Sequence, residues 1–430
     1  MVSVYAISSP TGKISPQPWL TAPETRTIIE ALTADGAEVR FVGGCVRDAM
    51  ARRPVTDVDI GTPDKPETVI GLLEKAGIKA VPTGIEHGTV TAVVGDRKFE
   101  ITTLRRDVET DGRRAKVAFT DDWMIDSERR DLTINALSAT PDGDVYDPHD
   151  GISDLAYGNI RFVGLAADRI EEDVLRLLRF FRFYGLFGQP PPDADAMAAC
   201  RNHADKLPGL SGERIRDEMF KILLVPEPAE IAVLMRGLGI FDHILPEAGD
   251  VGSLRMIGWL ETRAIKIDSV VPDPLRRLAA LLDTDAEGAA AVAGRLKLSN
   301  RQAWRLSVLA APPADIGPDA DAPSVNRTLR RLGPDTVRDL TLLAWAGELS
   351  VTPRLPAGRT QAWIGLLDTC DGWQGVVLPI GGEDVIALGV AEGPRVGELL
   401  ARVEDWWEDG DYAAGRDDCL EKMKSLLRKN

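Results

Sequence analysis

Asp57 and Asp59, separated by one valine, are the residues of this sequence best suited to chemistry. On a strand, residues two apart share a face, so both carboxylates project together while Val58 and Ile60 turn the other way to pack. Paired carboxylates hold hard cations through oxygen. Two such cations stabilise both the attacking and the leaving oxygen of an in-line phosphoryl displacement. Upstream, Gly43 and Gly44 lack the Cβ atoms that would keep backbone N–H groups away from phosphate oxygens, and the helix expected from Val46 turns its positive end towards them. Arg47 adds a fixed charge. Asp57 and Asp59 are therefore the candidate metal ligands, and Gly43, Gly44 and Arg47 the candidate phosphate contacts. Taken singly, a DxD strand also serves as a solvated face or a cap, and a glycine pair as a plain turn.

The elements that must position these groups follow from periodicity. Helices are expected over Ala22–Ala34, after an extended arm, and over Lys65–Gly77, closed by its glycine. Thr89–Val94 and Lys98–Thr103 read as strands joined at Gly95-Asp96. In the second, Phe99 and Ile101 face one way and Glu100 and Thr102 the other, so Glu100 either faces water or joins Asp57 and Asp59 as a third carboxylate. Residues 105–128 mix both charges around Gly112 and predict a mobile loop. RRDLTINALS, residues 129–138, predicts a helix capped by Asp131. One helix is expected over 168–185, with Val174, Leu177, Leu178, Phe180, Phe181 and Tyr184 in one arc, Arg176, Arg179 and Arg182 opposite, and Asp173 at the edge.

The combination GGCVRD followed by DVDIGT resembles the signature of the polymerase β-like nucleotidyltransferases, in the class II subgroup that holds tRNA CCA-adding enzymes and bacterial poly(A) polymerases. FEITTLR resembles that family's third-carboxylate strand, which implies a catalytic Glu100. RRDLTINALS resembles its second motif, which implies that Arg130 contacts the nucleotide while Asp131 and Asn135 arrange ribose and fold. EDVLRLLRFFRF resembles its EDxxR segment, which implies that Asp173 and Arg176 read the incoming base, with Arg179 and Arg182 better placed for phosphates. Cytosine and adenine both show an amine donor beside a ring-nitrogen acceptor, which an Asp acceptor and an Arg donor match, whereas uracil and guanine show a carbonyl beside an N–H. SGERIRDEMFKILL and LGIFDHILPE match further family segments. GEDVIALGV followed by GPRVG is similar to a tail element that meets RNA, and reads on its own as a helix-turn-helix packing unit.

Composition sets bounds. At 430 residues the chain holds two to four domains, and its net charge of -16 argues against nucleic acid as a partner, although a local arginine row still binds RNA. No run of 18 apolar residues exists and the start lacks a signal peptide, so a cytoplasmic protein without a membrane segment is expected. Cys45, Cys200, Cys370 and Cys419 have no CxxC spacing and read as reduced, packed thiols. The His149-Asp150 dipeptide lies in a turn without further histidines and reads as no metal-hydrolase site.

The expected architecture is α+β: a small mixed-sheet nucleotidyltransferase head over residues 1–150, then an all-helical neck over 151–247, body over 248–345 and tail over 346–430. The resemblance implies template-independent addition of C, C and A to tRNA from CTP and ATP with Mg²⁺, and no obligatory protein partner. Poly(A) addition, CC-only or A-only addition, and a non-catalytic RNA-binding protein are the alternatives.

Overall fold

The computed structural model describes residues 9–111 and 114–428. The beginning of the expected arm and Gly112, the centre of the expected loop, lie outside the described residues. The chain forms two compact units, 1–246 and 247–430.

Alternation builds the first unit. Its strands are β1 (Gly12–Lys13), β2 (Arg40–Val42), β3 (Val58–Thr62), β4 (Lys79–Gly84), β5 (Thr89–Val94), β6 (Arg97–Thr103), β7 (Arg105–Asp111), β8 (Arg114–Phe119), β9 (Ser138–Ala139) and β10 (Asp144–Tyr146). Eight of them form one mixed sheet in the order β1-β10-β9-β2-β3-β6-β5-β4. Every neighbouring pair is antiparallel except β3 and β6, which run parallel after the helix Pro66–Lys75 and the β4–β5 pair have intervened. Val58 and Ile60 are buried around a half-buried Asp59, and Phe99 and Ile101 around an exposed Glu100. The helices Pro23–Leu32, Gly44–Met50 and Pro66–Lys75 supply Ile28, Val46, Val69 and Leu73 to the core that takes up those apolar residues. Each such side chain stabilises the unit by about 1.5–3 kcal/mol. The carboxylates are left on the face opposite the helices.

Four expectations need correction. Residues 105–128 are not a loop: β7 and β8 pair as an antiparallel ribbon, and Asp122 caps the helix Trp123–Glu128 by accepting from the Met124 N–H at 2.8 Å. Dense charge hid the ribbon, because a ribbon standing off the sheet needs no apolar alternation. RRDLTINALS is not a capped helix but a 3₁₀ turn, Thr133–Asn135, leading into β9. Asp131 is drawn into buried contacts instead of capping. The helix expected over 168–185 is two, Ala166–Glu172 and Leu175–Phe187, broken at an extended Asp173 whose side chain accepts from the Leu175 N–H at 3.1 Å. The expected boundary at 345/346 falls inside the helix Pro334–Val351.

The second unit is helical among the described residues. Capping aspartates and a serine start its helices: Asp273, Asp285, Ser299 and Asp321 each accept from a first-turn N–H. Val325, Leu329, Val337 and Cys370 form one cluster, and Ile380, Val385, Leu399, Val403, Trp407, Cys419 and Met423 form a separate one in the tail. The helices Gly382–Ala387 and Pro394–Asp409 of that tail are the expected helix-turn-helix packing unit. Glu261, buried in a π-helical turn, holds both Arg276 and Arg277.

Candidate active site

Strand register brings the acidic residues together. Asp59 of β3 lies opposite Glu100 of the parallel β6, so both side chains leave the same face of the sheet. Asp57, one residue before β3, is exposed, and the Thr56 hydroxyl donates to its Oδ2 at 3.1 Å. The crowding registers in Asp59: burial first, then the charges of Glu100 and Asp57, push its carboxyl up to about 6, with Arg130 opposing. Glu100 and Asp57 thus both act electrostatically on Asp59. Behind them the buried Cys45 thiol faces the Val42 and Asp59 carbonyls, and burial pushes it up to about 12. It is a packed thiol and no nucleophile.

Among the described residues no three His, Cys, Asp or Glu side chains converge to cage a metal unaided. The donor set nonetheless suits Mg²⁺, which takes one or two carboxylates and completes its shell from water and substrate phosphates. A crowded carboxylate whose charge is disfavoured, as at Asp59, is also what a divalent cation relieves.

Gly43 connects β2 to the helix Gly44–Met50 at φ 68° and ψ −120°, a conformation that favours glycine. A Cβ there would stand 3.0 Å from Arg130 Nη1. Gly43 thus lets a guanidinium lie against the backbone, whereas at Gly44 a Cβ would meet only ordinary contact with Arg47. Arg130 is held by Asp126, whose Oδ2 accepts from Nη2 at 3.1 Å. Asp126 also accepts from Arg129 Nε at 2.9 Å and from the Arg105 N–H at the start of β7, at 3.1 Å. Burial alone would raise the Asp126 carboxyl, but the Arg130 and Arg129 charges hold it below the usual range. Asp126 lies in the densely charged stretch before RRDLTINALS and belongs to no motif there.

Arg47 donates from Nη1 to Asn135 Oδ1 at 2.6 Å and pairs with Asp48 at 2.9 Å, and its guanidinium lies 4.9 Å from the ring centres of Phe183 and Phe187. Arg179 and Arg182 are less free than a basic arc predicts. Arg179 Nε donates to Asp131 at 2.6 Å, and Arg182 Nε stands 2.8 Å from the buried Glu218.

Asp173 and Arg176 lie where the two helices break apart. Arg214 Nη2 donates to both Asp173 oxygens, at 2.9 and 2.8 Å. Arg176 Nη1 pairs with Glu172 at 2.5 Å, and Nη2 reaches the Arg129 carbonyl at 3.0 Å. A carboxylate offers about four acceptor sites, so Arg214 and the Leu175 N–H orient Asp173 and leave it one acceptor. Arg214 and Glu218, both in SGERIRDEMFKILL, are site residues that the wheel of the preceding helix could not reveal.

The family described as "Poly A polymerase head domain" matches residues 39–161, and that described as "Probable RNA and SrmB- binding site of polymerase A" matches 192–250. The mitochondrial CCA tRNA nucleotidyltransferase 1 of Danio rerio is 34% identical over 396 residues, covering 90% of this chain and 87% of the relative. The CCA-adding enzyme of Lactobacillus delbrueckii subsp. bulgaricus is 42% identical over 199 residues, 46% of this chain and 49% of that one. Among solved structures, the Bacillus stearothermophilus CCA-adding enzyme in complex with CTP superimposes with a TM-score of 0.74 at 25% identity, covering 96% of this chain and 99% of that one. The Thermotoga maritima CCA-adding enzyme complexed with tRNA shares the fold, with a TM-score of 0.60 at 19% identity over 97% and 99% of the two chains.

Proposed function

We propose the following roles on the premise that this chain belongs to the family of CCA-adding tRNA nucleotidyltransferases. It is an enzyme that adds C, C and A to the 3′ end of tRNA from CTP and ATP. The Asp59–Glu100 register is the observation that carries the assignment of the catalytic face. Asp57 and Asp59 hold Mg²⁺, and Glu100 completes the acidic rim against which the RNA 3′-hydroxyl is placed. Bound there, the metal supplies Lewis-acid stabilisation of the charge that develops on the reacting phosphate. The Gly43 N–H is taken by the Leu137 carbonyl at 3.0 Å, so the N–H groups at the start of the helix Gly44–Met50 are the ones left for the triphosphate, with Arg47 and Arg130 as fixed cations beside them.

Asp173, oriented by Arg214, accepts from the exocyclic amine of cytosine or adenine, and Arg176 donates to the adjacent ring nitrogen. Arg179 and Arg182 lend positive charge from fixed positions rather than swinging onto phosphates, which their buried partners Asp131 and Glu218 support. We keep the four-part division of the chain but move its last boundary to about residue 373, before the tail core begins. No described helix is long and apolar enough to cross a membrane. We assign the protein to the cytoplasm, a reading that four free, buried cysteines fit.

The test is incubation with tRNA lacking its 3′-terminal CCA, with each nucleoside triphosphate singly and with CTP and ATP together, with Mg²⁺ or with EDTA. Two C residues and one A added only in the presence of metal is the expected result. A long A tract, or arrest after CC, would assign the alternative activities.

A further inference from the structure

A second feature opens on the catalytic edge and is used by none of the roles above. Beside Asp57 lies a groove of about 580 Å³, walled by Pro18, Pro54 and Val55 and bordered by Arg53, Arg97 and Lys98. That volume is in the range of a site for a nucleotide-sized ligand. Its polar neutral groups are already engaged. The Gln17 amide donates to the Ala49 carbonyl at 3.2 Å and accepts from the Trp19 indole at 2.8 Å, and Thr56 donates to Asp57. The cations are not: among the described residues Arg53, Arg97 and Lys98 have no carboxylate partner, in a chain of net charge -16 most of whose site arginines are paired. Arg53 rests its guanidinium 4.4 Å from the Phe187 ring centre, while Arg97 and Lys98 are exposed. Asp96, at the tip between β5 and β6, is the one further acidic side chain on the groove's border besides Asp57.

Position along the sheet edge says what the groove is for. Val58 pairs with Phe99, so Asp57 and Lys98 stand one step earlier on their parallel strands, side by side. Phe41 of β2 pairs with Ile60 of β3, so the Gly43 turn leaves the same edge of the sheet on the other side of Asp57. The acidic edge is thus flanked by the glycine turn with Arg47 and Arg130 on one side, and by Arg97 and Lys98 on the other. In-line displacement puts the attacking and leaving oxygens on opposite sides of phosphorus. If the triphosphate lies along the glycine turn, the attacking strand arrives over β6.

We propose that this groove holds the sugar–phosphate backbone of the last nucleotides of the RNA acceptor, with Arg53, Arg97 and Lys98 as phosphate contacts. The inference rests on the roles given above to Asp57 and the glycine turn. Apolar walls and an engaged Gln17 amide leave the groove no free neutral polar group to read base edges, and the border cations serve the phosphates, so the grip is independent of the terminal base, which suits an enzyme whose acceptor end changes with each addition. Phosphate contacts of this kind position a strand without specifying its sequence.

The double substitution Arg97→Gln and Lys98→Gln tests it, since both side chains are exposed and make no ion pair that the fold needs. The expected result is a KM for CCA-lacking tRNA raised about tenfold, the scale of two exposed charge contacts, with the KM for CTP within twofold of the original. In equilibrium binding of the same tRNA without nucleotide, the slope of log affinity against log salt falls by about 1.4, near 0.7 for each single-strand contact. The binding arm needs no transfer, so it judges the groove even if the protein proved inactive. Unchanged tRNA affinity and salt slope would overturn the proposal. A raised KM for CTP or weakened inhibition by pyrophosphate, with tRNA unaffected, would overturn it too and assign the groove to the triphosphate. Arg53→Gln, measured alongside, is expected to add to the loss in the same direction.

Discussion

Arg179 Nε donates to Asp131 Oδ2 at 2.6 Å across 48 residues of sequence. The other Asp131 oxygen accepts from Asn135 Nδ2 at 3.0 Å, and Asn135 Oδ1 accepts from Arg47 at 2.6 Å. Four side chains thus run from the glycine turn to the helix Leu175–Phe187, and through them Arg47 and that helix hold each other in place. Asp131 is the junction of that chain.

Asp131→Asn should therefore destabilise the protein by about 2 kcal/mol. Removing one member of a fully buried pair costs about 3–5 kcal/mol, and Arg179 is roughly a third exposed, which lowers the figure. Burial on its own would raise the Asp131 carboxyl, but the Arg179 charge and the Asn135 and Leu132 bonds hold it below the usual range. A depressed folded pKa contributes stability that is present above the unfolded value, about 3.9, and is lost as pH falls through the folded one. Urea unfolding of the wild-type protein should lose this contribution only below about pH 4, and the Asn variant should show a shallower acid loss. Identical acid limbs would remove Asp131 from the account.

Much of this was legible in the residues. Alternation in Val58-Asp59-Ile60 and Phe99-Glu100-Ile101 requires both carboxylates on one face, and the structure adds only that β3 and β6 are neighbours. Local pattern failed where long-range charge decided the backbone. Asp131 has the right type and place for a cap, yet a guanidinium far along the chain claims it. Likewise a wheel drawn over 168–185 cannot know that Arg214 will hold Asp173 outside the helix. Partners distant in sequence leave no trace in a window of eighteen residues.

Asp57→Ala and Asp59→Ala should each lower single-turnover incorporation by at least about 10³-fold, the scale of losing several kcal/mol of charge stabilisation by a metal. Affinity for CCA-lacking tRNA should stay within about twofold, and EDTA should reproduce the loss in the wild-type protein. Near-normal incorporation in either variant would withdraw the metal assignment.

Gly43→Ala tests the close approach of Arg130. The alanine meets φ 68° and ψ −120°, a sparsely populated region costing about 1–3 kcal/mol, and its Cβ would displace a guanidinium now 3.0 Å away. The KM for CTP and ATP should rise while tRNA affinity is retained. Gly44→Ala, with ordinary space around it, should be the milder change, and equal effects would mean that backbone approach to phosphate, not Arg130, sets the requirement.

Truncation after about residue 373 should leave the helix Pro334–Val351 and its cluster around Cys370 intact while removing the tail core from Ile380 to Leu426. The tail is fastened to the helix Ala322–Leu332 by charge, with Arg330 paired to Glu404 and Glu408 and Arg331 to Glu408. If the tail grips tRNA, the truncated protein should bind tRNA more weakly with an unchanged KM for CTP. Unchanged tRNA affinity in a folded truncation would make the tail a packing element only.

Base choice is the sharpest test of the role proposed for Asp173, because Arg214 fixes both of its oxygens. Asp173 only accepts and Arg176 only donates, so a carbonyl placed where cytosine or adenine has its amine would face a carboxylate with no proton between them. Rejection of such an edge reaches on the order of 10⁴ in a site built on hydrogen bonds. Asp173→Ala removes acceptor and repulsion together, so incorporation of CTP and ATP should fall and the gap to UTP and GTP should narrow. Arg214→Ala keeps the carboxylate but frees it to turn, and should erode discrimination by about 10-fold, less than loss of the acceptor. Arg182→Ala should slow all four nucleotides alike, since its partner is Glu218 and not the base. Single-turnover incorporation with each triphosphate separates these outcomes, and discrimination unchanged in Asp173→Ala would move base reading to another group.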